Sequence, residues 1–309
     1  MTNFNPRQET RPGEPVSRYA NILLDYWFKR SFGREINKRL MILTLREIIP
    51  EADISDISYG NKEHPNPFPD SHGVVFDIEC VSSEGAMFIV EVQLARKKWF
   101  MERALFYSSF AIQKQLLKGD DSYRLMPTYF IALMDFSLHD ADDGRFVFRY
   151  EITDRDSGEL MTDRLHFVFL ELPNVREVSG DSSNLEKLCY ALHNMTALKS
   201  RPAEMRAEIF ELLFNSAEIA KFDPEEKIKY EYDMTTERDR RNELAFSREE
   251  GLAEGLAEGL AEGLAKGKAE GLTEGKAEGI IEERERIARA LRERGFSELD
   301  IQSIISAKA

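Results

Sequence analysis

Residues 74–95, VVFDIECVSSEGAMFIVEVQLA, constrain the fold of this chain more than any other stretch. Two runs rich in Val, Ile and Phe flank a short polar segment, and both alternate with a period of two, which is typical of a β-hairpin. A three-residue loop from Ser83 to Gly85, with Gly85 in the left-handed conformation, places Ser82 opposite Ala86. In this register one face is wholly apolar, because the facing pairs on it are Phe76 with Val92, Ile78 with Val90, and Cys80 with Phe88.

The other face of the predicted hairpin carries acidic residues. Asp77 lies opposite Glu91, and Gln93 follows two residues later on the same side. Two carboxylates this close repel each other unless a positive group lies between them, and a divalent cation is the simplest such group. The alternative is a solvated sheet surface, on which carboxylates opposite apolar residues are ordinary.

The charge balance limits how the chain could bind nucleic acid. Lys and Arg total 42 against 56 Asp and Glu, and the formal net charge of −14 argues against a broad nucleic-acid-binding surface. A local surface remains possible, because Arg96, Lys97 and Lys98 cluster just beyond the strand of Glu91. These residues are either solvated charges at a strand end or contacts to phosphates beside the carboxylates.

The composition predicts a soluble, cytoplasmic protein without a membrane partner. The chain has no run of eighteen apolar residues, and its polar opening lacks a hydrophobic signal core. Cys80 falls on the apolar strand face and Cys189 in a helical pattern. We therefore expect two buried thiols rather than a disulfide, as a reducing compartment favours.

Hydrophobic periodicity predicts an α/β core in which a helix, three strands, a helix and a strand follow one another. Residues 1–15 are expected to be a disordered leader, and 16–222 the main domain. The predicted core elements are helices at 17–32 and 36–49, a strand at 52–59, the hairpin, a helix at 97–118 ended by Gly119, and a strand at 126–136 parallel in the same sheet. Two further strands, at 145–154 and 165–172, extend the sheet or form a separate ribbon. Two more helices are expected at 184–192 and 202–222.

The C-terminal region is predicted to be helical and charged. Residues 223–250 form a helical connector, and 251–283 a spacer built on a four-residue Gly-Leu-Ala-Glu repeat. Its eight glycines cost roughly 8 kcal/mol relative to alanine, so we expect a flexible or semi-helical segment. The repeat drifts about 40° around a helix each time, so its leucines make no lasting seam with a partner. Residues 284–309 suggest two short helices, with Ser297 and Asp300 as a capping box, that serve for self-association, for docking another protein, or as a DNA-reading helix-turn-helix.

Several common catalytic motifs are missing from the sequence. The five histidines are scattered without HxxxH or CxxC spacing, which argues against a dedicated zinc site. The chain also lacks a Walker A motif, a GxSxG elbow and a strand-linked GxGxxG. The hairpin carboxylates remain, and their hard oxygen ligands suit Mg²⁺ or Mn²⁺.

With Asp in the second strand and Glu-x-Gln in the third, the order of elements resembles the PD-(D/E)XK nuclease core. Within that superfamily the chain is similar to the Rpn family of recombination-promoting nucleases and transposases, over about residues 17–136. The residues that carry this resemblance are Asp25 with Phe28-Lys29 and Phe32-Gly33, Asp77, Glu91-Val92-Gln93, Arg103 with Tyr107, Gln115-Leu116 with Gly119, and Tyr123.

The resemblance implies a restriction-endonuclease-like fold and a metal-dependent DNA endonuclease that hydrolyses phosphodiester bonds in recombination or mobile-element biology. By the resemblance, Asp77 and Glu91 bind Mg²⁺ or Mn²⁺, and Asp25 adds a carboxylate from the first helix. DNA contacts are expected from Arg96, Lys97, Lys98, Arg103, Tyr107 and Gln115.

Gln93 replaces the lysine of the superfamily motif. Glutamine can neither supply a positive charge nor exchange a proton, so a slow activity is expected unless Lys97 or Lys98 substitutes. The alternative is a nuclease-fold protein that is catalytically weak or inactive and binds protein or DNA.

Overall fold

The computed structural model describes residues 17–60, 63–64, 74–116, 123–139 and 144–306. The predicted leader at 1–15 and the helix-ending Gly119 lie outside these residues. The helices are α1 Asp25–Phe32, α2 Lys38–Ile48, α3 Phe100–Gln115, α4 Asn184–Asn194, α5 Glu208–Ala217, α6 Pro224–Glu293 and α7 Glu298–Ser306. The strands are β1 Ile57–Tyr59, β2 Glu63–His64, β3 Val74–Val75, β4 Ile78–Ser82, β5 Met87–Gln93, β6 Thr128–Met134, β7 Val147–Thr153 and β8 Leu160–Glu171.

Strands β4 and β5 form the predicted hairpin in the predicted register. Ile78 lies opposite Val90 and Cys80 opposite Phe88. Gly85 has a φ of +92°, and its N–H donates to the Ser82 carbonyl at 2.9 Å. Both the register and the left-handed glycine are therefore confirmed, because a three-residue loop that needs positive φ leaves the strands a single way to pair.

The hairpin begins later than its sequence pattern suggests. Phe76 and Asp77 precede β4, and the chain bends at Asp77. Phe76 consequently packs in the second hydrophobic cluster, with its ring centroid 5.7 Å from that of Tyr107, whereas Ile78 belongs to the first cluster. The prediction that Phe76 shares a face with Ile78 was wrong, because the bend interrupts the alternation of side chains.

The hairpin belongs to a six-stranded sheet with the order β1-β4-β5-β6-β8-β7. Strand β6 runs parallel to β5, as predicted for a strand reached through a helix, and β8 runs parallel to β6. The two later strands extend this sheet. Strands β2 and β3 form a separate two-stranded pair. The predicted order of helix, three strands, helix and strand is confirmed.

Helices cover both faces of the sheet. One core cluster lies between the sheet and helices α1, α2, α4 and α5, and it contains Cys80 and Cys189 as buried free thiols. The other lies between the sheet and α3, where Phe100 and Ala104 pack near Ile89. The solvated-face alternative was therefore wrong. Glu91 is only 2% exposed, because β5 is an interior strand covered on both sides.

The first and the fifth helix are shorter than predicted. Helix α1 starts at Asp25, eight residues after Ser17, and α5 runs only from Glu208 to Ala217. The stretch before α1 is buried on all sides and not on one stripe, and the Ala20 N–H donates to the Ala217 carbonyl at 2.8 Å. A segment that pairs its backbone with another element cannot also form its own helix.

The described chain divides into two compact units, one ending at Asp233 and the other beginning at Met234. Helix α6 is continuous over 70 residues, so the connector, the repeat and the first of the two predicted C-terminal helices form a single helix. The repeat leucines are exposed, as at Leu252 and Leu264. Helix α7 is the second predicted C-terminal helix, with Ser297 at its cap. Among the described residues, no helix combines the length and the hydrophobicity needed to cross a membrane.

Candidate active site

The predicted carboxylates lie near the C-terminal ends of the parallel strands. Gln93, Met134 and Glu171 are in register at the ends of β5, β6 and β8. In open α/β sheets this edge is where ligands bind, because the strands end there and the loops leave a crevice.

Two side-chain to backbone hydrogen bonds join the segment of Asp77 to the strand of Glu91. The Asp77 N–H donates to Glu91 Oε1 at 3.0 Å, and the Val92 N–H donates to Asp77 Oδ2 at 3.0 Å. The two residues thus face each other as predicted, but through side-chain to backbone hydrogen bonds and not as a pair within the strand ladder. This exchange holds both carboxylates at the end of the hairpin.

Two basic side chains accompany the carboxylates. Lys29 of α1 places its Nζ 3.3 Å from Asp77 Oδ1 and 2.5 Å from Asp25 Oδ1. Arg103 of α3 places Nη2 3.5 Å from Glu91 Oε2. One cation therefore approaches each carboxylate, and they come from helices on opposite faces of the sheet.

The carboxylates of Asp77 and Glu91 nevertheless resist ionisation. Burial raises the pKa of Asp77, although the Val92 N–H and Lys29 act against the rise. Burial and the charge of Asp77 raise the pKa of Glu91 to about 8. Burial lowers the pKa of Lys29, but its ion pairs with Asp25 and Asp77 outweigh this and leave the pKa raised. The site thus holds a lysine that stays charged and two carboxyl groups that lack full compensation, which is the electrostatic condition that a divalent cation relieves.

The carboxylate oxygens of Asp77 and Glu91 suit a metal ion that needs few protein ligands. Among the residues that the structure describes, no three His, Cys, Asp or Glu side chains are grouped so that they could hold a metal ion. Mg²⁺ usually binds through one or two carboxylates and keeps several waters, so Asp77 and Glu91 suffice for it. The Asp25 carboxylate contacts the same Lys29 Nζ as Asp77, and its side chain is 70% exposed.

Gln93 is buried on β5 on the same side as Glu91, at 5% exposure. Its backbone carbonyl accepts the N–H of Asp135 at 2.9 Å, and Oδ1 of Asp135 lies 2.6 Å from His193 Nδ1. The sequence provided no signal for this histidine, because α4 brings it to the strand end from 58 residues away.

The predicted DNA-contacting residues fall into two groups. Arg96, Lys97 and Lys98 are exposed in the segment between β5 and α3, which begins at the site. Arg103 stacks its guanidinium 4.6 Å from the ring centroid of Tyr107 while it reaches Glu91. These five residues lie in the segment after β5 or in the first half of α3.

Gln115 lies elsewhere, at the opposite end of α3. Its Nε2 donates to Thr128 Oγ1 at 2.9 Å, and its Oε1 accepts the Met126 N–H at 2.7 Å. Thr128 starts β6 and is four residues from Ala132, the partner of Glu91 in the sheet, so it lies about 13 Å along the strand from that level. The structure therefore does not bring Gln115 to the carboxylates, and its hydrogen bonds tie α3 to β6.

The sequence interpretation included Lys29 in the family resemblance but gave it no role at the carboxylates. Its position four residues after Asp25 suggests a surface ion pair, and that pair does exist. The same Nζ also faces Asp77, which lies 48 residues later in the chain. Only the packing of α1 against the sheet shows this second contact.

A family model described as a PD-(D/E)XK nuclease family transposase matches residues 22–247. The match spans the described carboxylates, both flanking cations and the whole sheet, and it confirms the family expected from the sequence. Comparisons with curated proteins and with solved structures gave no match.

Proposed function

The chain belongs to the PD-(D/E)XK nuclease family transposases, and we propose that it is a metal-dependent DNA endonuclease that hydrolyses phosphodiester bonds. The observation that carries this proposal is the pair of carboxylates, the buried Glu91 and the partly buried Asp77, at the C-terminal edge of the parallel strands. Placing two carboxylates this close together in a partly buried site is unfavourable unless they bind a cation.

Asp77 and Glu91 would hold Mg²⁺ or Mn²⁺, which would supply a hydroxide at neutral pH and stabilise charge on the phosphoryl group. Lys29 supplies the fixed positive charge on the Asp77 side of the site, and Arg103 supplies one on the Glu91 side. Gln93 can orient a water or a phosphate through its amide.

Lys29 is a better substitute for the missing motif lysine than Lys97 or Lys98. Its Nζ already touches Asp77, whereas the side chains of Lys97 and Lys98 are exposed in the segment before α3. A lysine positioned from α1 can interact with the same phosphate as one positioned from β5, because electrostatic stabilisation depends on where the charge lies and not on which element carries it.

We further propose DNA as the substrate, bound through Arg96, Lys97 and Lys98, and recombination or mobile-element transfer as the setting. The buried thiols Cys80 and Cys189 suit a reducing cytoplasm. Self-association or protein binding through the C-terminal helices is a proposal supported by the exposed leucines of α6.

Plasmid nicking with purified protein tests the proposed activity. Supercoiled DNA should be nicked with Mg²⁺ or Mn²⁺ and left intact in EDTA, and Glu91→Gln should abolish nicking. Glu79→Gln is the matched control, because Glu79 is also a fully buried hairpin glutamate but pairs with Lys114 away from the site.

The control should keep its nicking activity while circular dichroism shows that both variants are folded. Equal nicking by the Glu91→Gln variant would overturn the proposal. DNA binding without metal-dependent nicking in any condition would instead favour the alternative of a nuclease-fold binding protein.

A further inference from the structure

One side chain beside the site is both exposed and conformationally constrained. Trp99 lies between β5 and α3 with 64% of its surface exposed, whereas the other tryptophan of the chain, Trp27, is fully buried. An exposed indole forgoes the stabilisation that burial of a large aromatic ring provides.

The backbone of Trp99 has a φ of 63°, in the left-handed region. For a bulky residue other than glycine this conformation is a genuine outlier, and such outliers cluster at functional sites. The next residue, Phe100, is buried, with its ring centroid 5.3 Å from that of Phe169, so the left-handed turn lets Phe100 enter the core while Trp99 points outward. The fold therefore holds the indole on the surface.

The exposed indole lies beside a positive charge, and its backbone is bonded to a residue that contacts a site carboxylate. Arg96, Lys97 and Lys98 precede it, and the Lys98 Nζ lies 4.9 Å from its ring centroid. The Trp99 carbonyl accepts the N–H of Arg103 at 3.0 Å, and the guanidinium of Arg103 reaches Glu91. Trp99 is thus one helical turn from a residue that touches the site.

We propose that Trp99 stacks on an unpaired base, and that the substrate is single-stranded or locally unpaired DNA. Aromatic side chains combined with a positively charged track form the platforms that bind single strands, because each base then offers a free face. In an intact duplex the bases are already stacked on each other, and the cations alone would suffice. This inference rests on the proposed function for the identity of the nucleic acid.

Tryptophan fluorescence in EDTA tests the stacking without any cleavage. Adding a roughly 16-nucleotide oligothymidylate should quench the emission of Trp99, while Trp27 supplies a constant background because it is buried and stacked on Phe222. A blunt duplex of the same length should quench much less.

Variants separate the ring from the backbone. Trp99→Asn removes the ring with a residue that tolerates left-handed φ, and should weaken oligothymidylate binding about tenfold, with duplex binding unchanged. Trp99→Phe keeps an aromatic face and should recover most of the affinity. Phe246→Ala is the control, because Phe246 is similarly exposed but lies in the other compact unit.

Three results would overturn the inference: no quenching by oligothymidylate, equal quenching by the duplex, or unchanged single-strand affinity in the Trp99→Asn variant. A change of oligomeric state in that variant, with unchanged DNA binding, would instead assign the surface to a second copy of this chain and would also overturn it. Quenching without nicking would refute the proposed nuclease activity alone, and nicking without quenching would refute the stacking alone.

Discussion

At the scale of single residues, the proposed function gives to Lys29 and Gln93 together what the superfamily motif assigns to one lysine. Gln93 occupies the motif position on β5, and Lys29 brings the charge to Asp77 from α1. On the proposed function both positions serve the same phosphate, so they should compensate for each other when exchanged.

Lys29→Gln should therefore lower metal-dependent nicking about 10²- to 10³-fold, which is the usual cost of removing one group that stabilises transition-state charge. Adding Gln93→Lys to this variant should restore much of the rate, because the charge returns to the same site. Nicking rates of the single and double variants provide the measurement. Lys38→Gln is the control, since Lys38, the first residue of α2, pairs with Asp56 outside the site. Unchanged nicking by the Lys29→Gln variant would refute the role of Lys29.

Without metal, the protein should lose stability as pH rises from the pKa of Glu91 in the unfolded state to its pKa in the folded state. The ordinary pKa of Glu91 is 4.5, and the folded protein raises it to about 8. Between these values the folded state binds more protons than the unfolded state, so the free energy of unfolding falls as pH rises. Glu91→Gln cannot ionise, and its stability relative to the natural protein should rise by more than about 1 kcal/mol from pH 5 to pH 8.

Urea unfolding of both proteins in EDTA at these two pH values checks this prediction. Added Mg²⁺ should stabilise the natural protein at pH 8 and stabilise the Glu91→Gln variant much less, because the metal binds the ionised carboxylate of the folded state. A constant stability difference across the pH range would show that Glu91 ionises normally.

At the scale of elements, the two ends of α3 make different contacts: one with the carboxylate site and the other with β6 and the residues before it. Its N-terminal end follows the basic segment and carries Arg103 to Glu91, while its C-terminal end is tied to β6 by Gln115. Substitutions at the two ends should therefore affect different properties.

Gln115→Ala should lower stability by about 1 kcal/mol, because the Met126 N–H and Thr128 lose their partner, and should leave DNA affinity unchanged.

Lys97→Gln should leave stability unchanged and weaken DNA binding. The slope of log affinity against log salt should decrease in magnitude by about 1, as expected for one lost phosphate contact. Thermal melting and DNA titrations at several salt concentrations measure both effects. A weaker DNA affinity in the Gln115→Ala variant, at unchanged salt slope, would show that Gln115 contacts DNA.

At the scale of the whole molecule, the start of α6 is part of the first compact unit. Trp27 Nε1 donates to Asp233 Oδ2 at 3.1 Å, and the Asn21 N–H donates to the buried Tyr230 hydroxyl at 2.8 Å. The first compact unit accordingly ends at Asp233, beyond the boundary at 222 that the sequence suggested.

A chain truncated after Arg248 should fold and nick DNA like the full protein, because it keeps these contacts and loses only residues of the second unit. Truncation after Phe222 should abolish cooperative unfolding, since Trp27 and Asn21 would lose buried partners. Melting curves and nicking assays of both truncated chains distinguish the cases. Loss of folding in the longer chain would show that the repeat helix supports the core, and a changed solution mass with intact nicking would identify the tail as an assembly element.

The sequence by itself determined the hairpin, its register and the approach of Asp77 to Glu91. Side-chain alternation and the left-handed turn at Gly85 are properties of neighbouring residues, so they can be recognised without knowing the rest of the fold. The parallel strand β6 followed from the same local logic, because a helix must carry the chain back before the next strand starts.

Only the tertiary structure decided which groups surround the carboxylates. That α3 covers the acidic face, that Lys29 reaches Asp77, and that Gln115 lies at the far end of α3 all depend on how helices pack on the sheet. The Gly-Leu-Ala-Glu repeat is a second case in which local sequence did not predict the structure. Its glycine content predicts a weak helix, whereas the structure has a continuous one. Periodicity tells which side of an element is apolar. The partner that covers that side is chosen by packing between segments far apart in the chain, and a single sequence does not encode that choice in any local pattern.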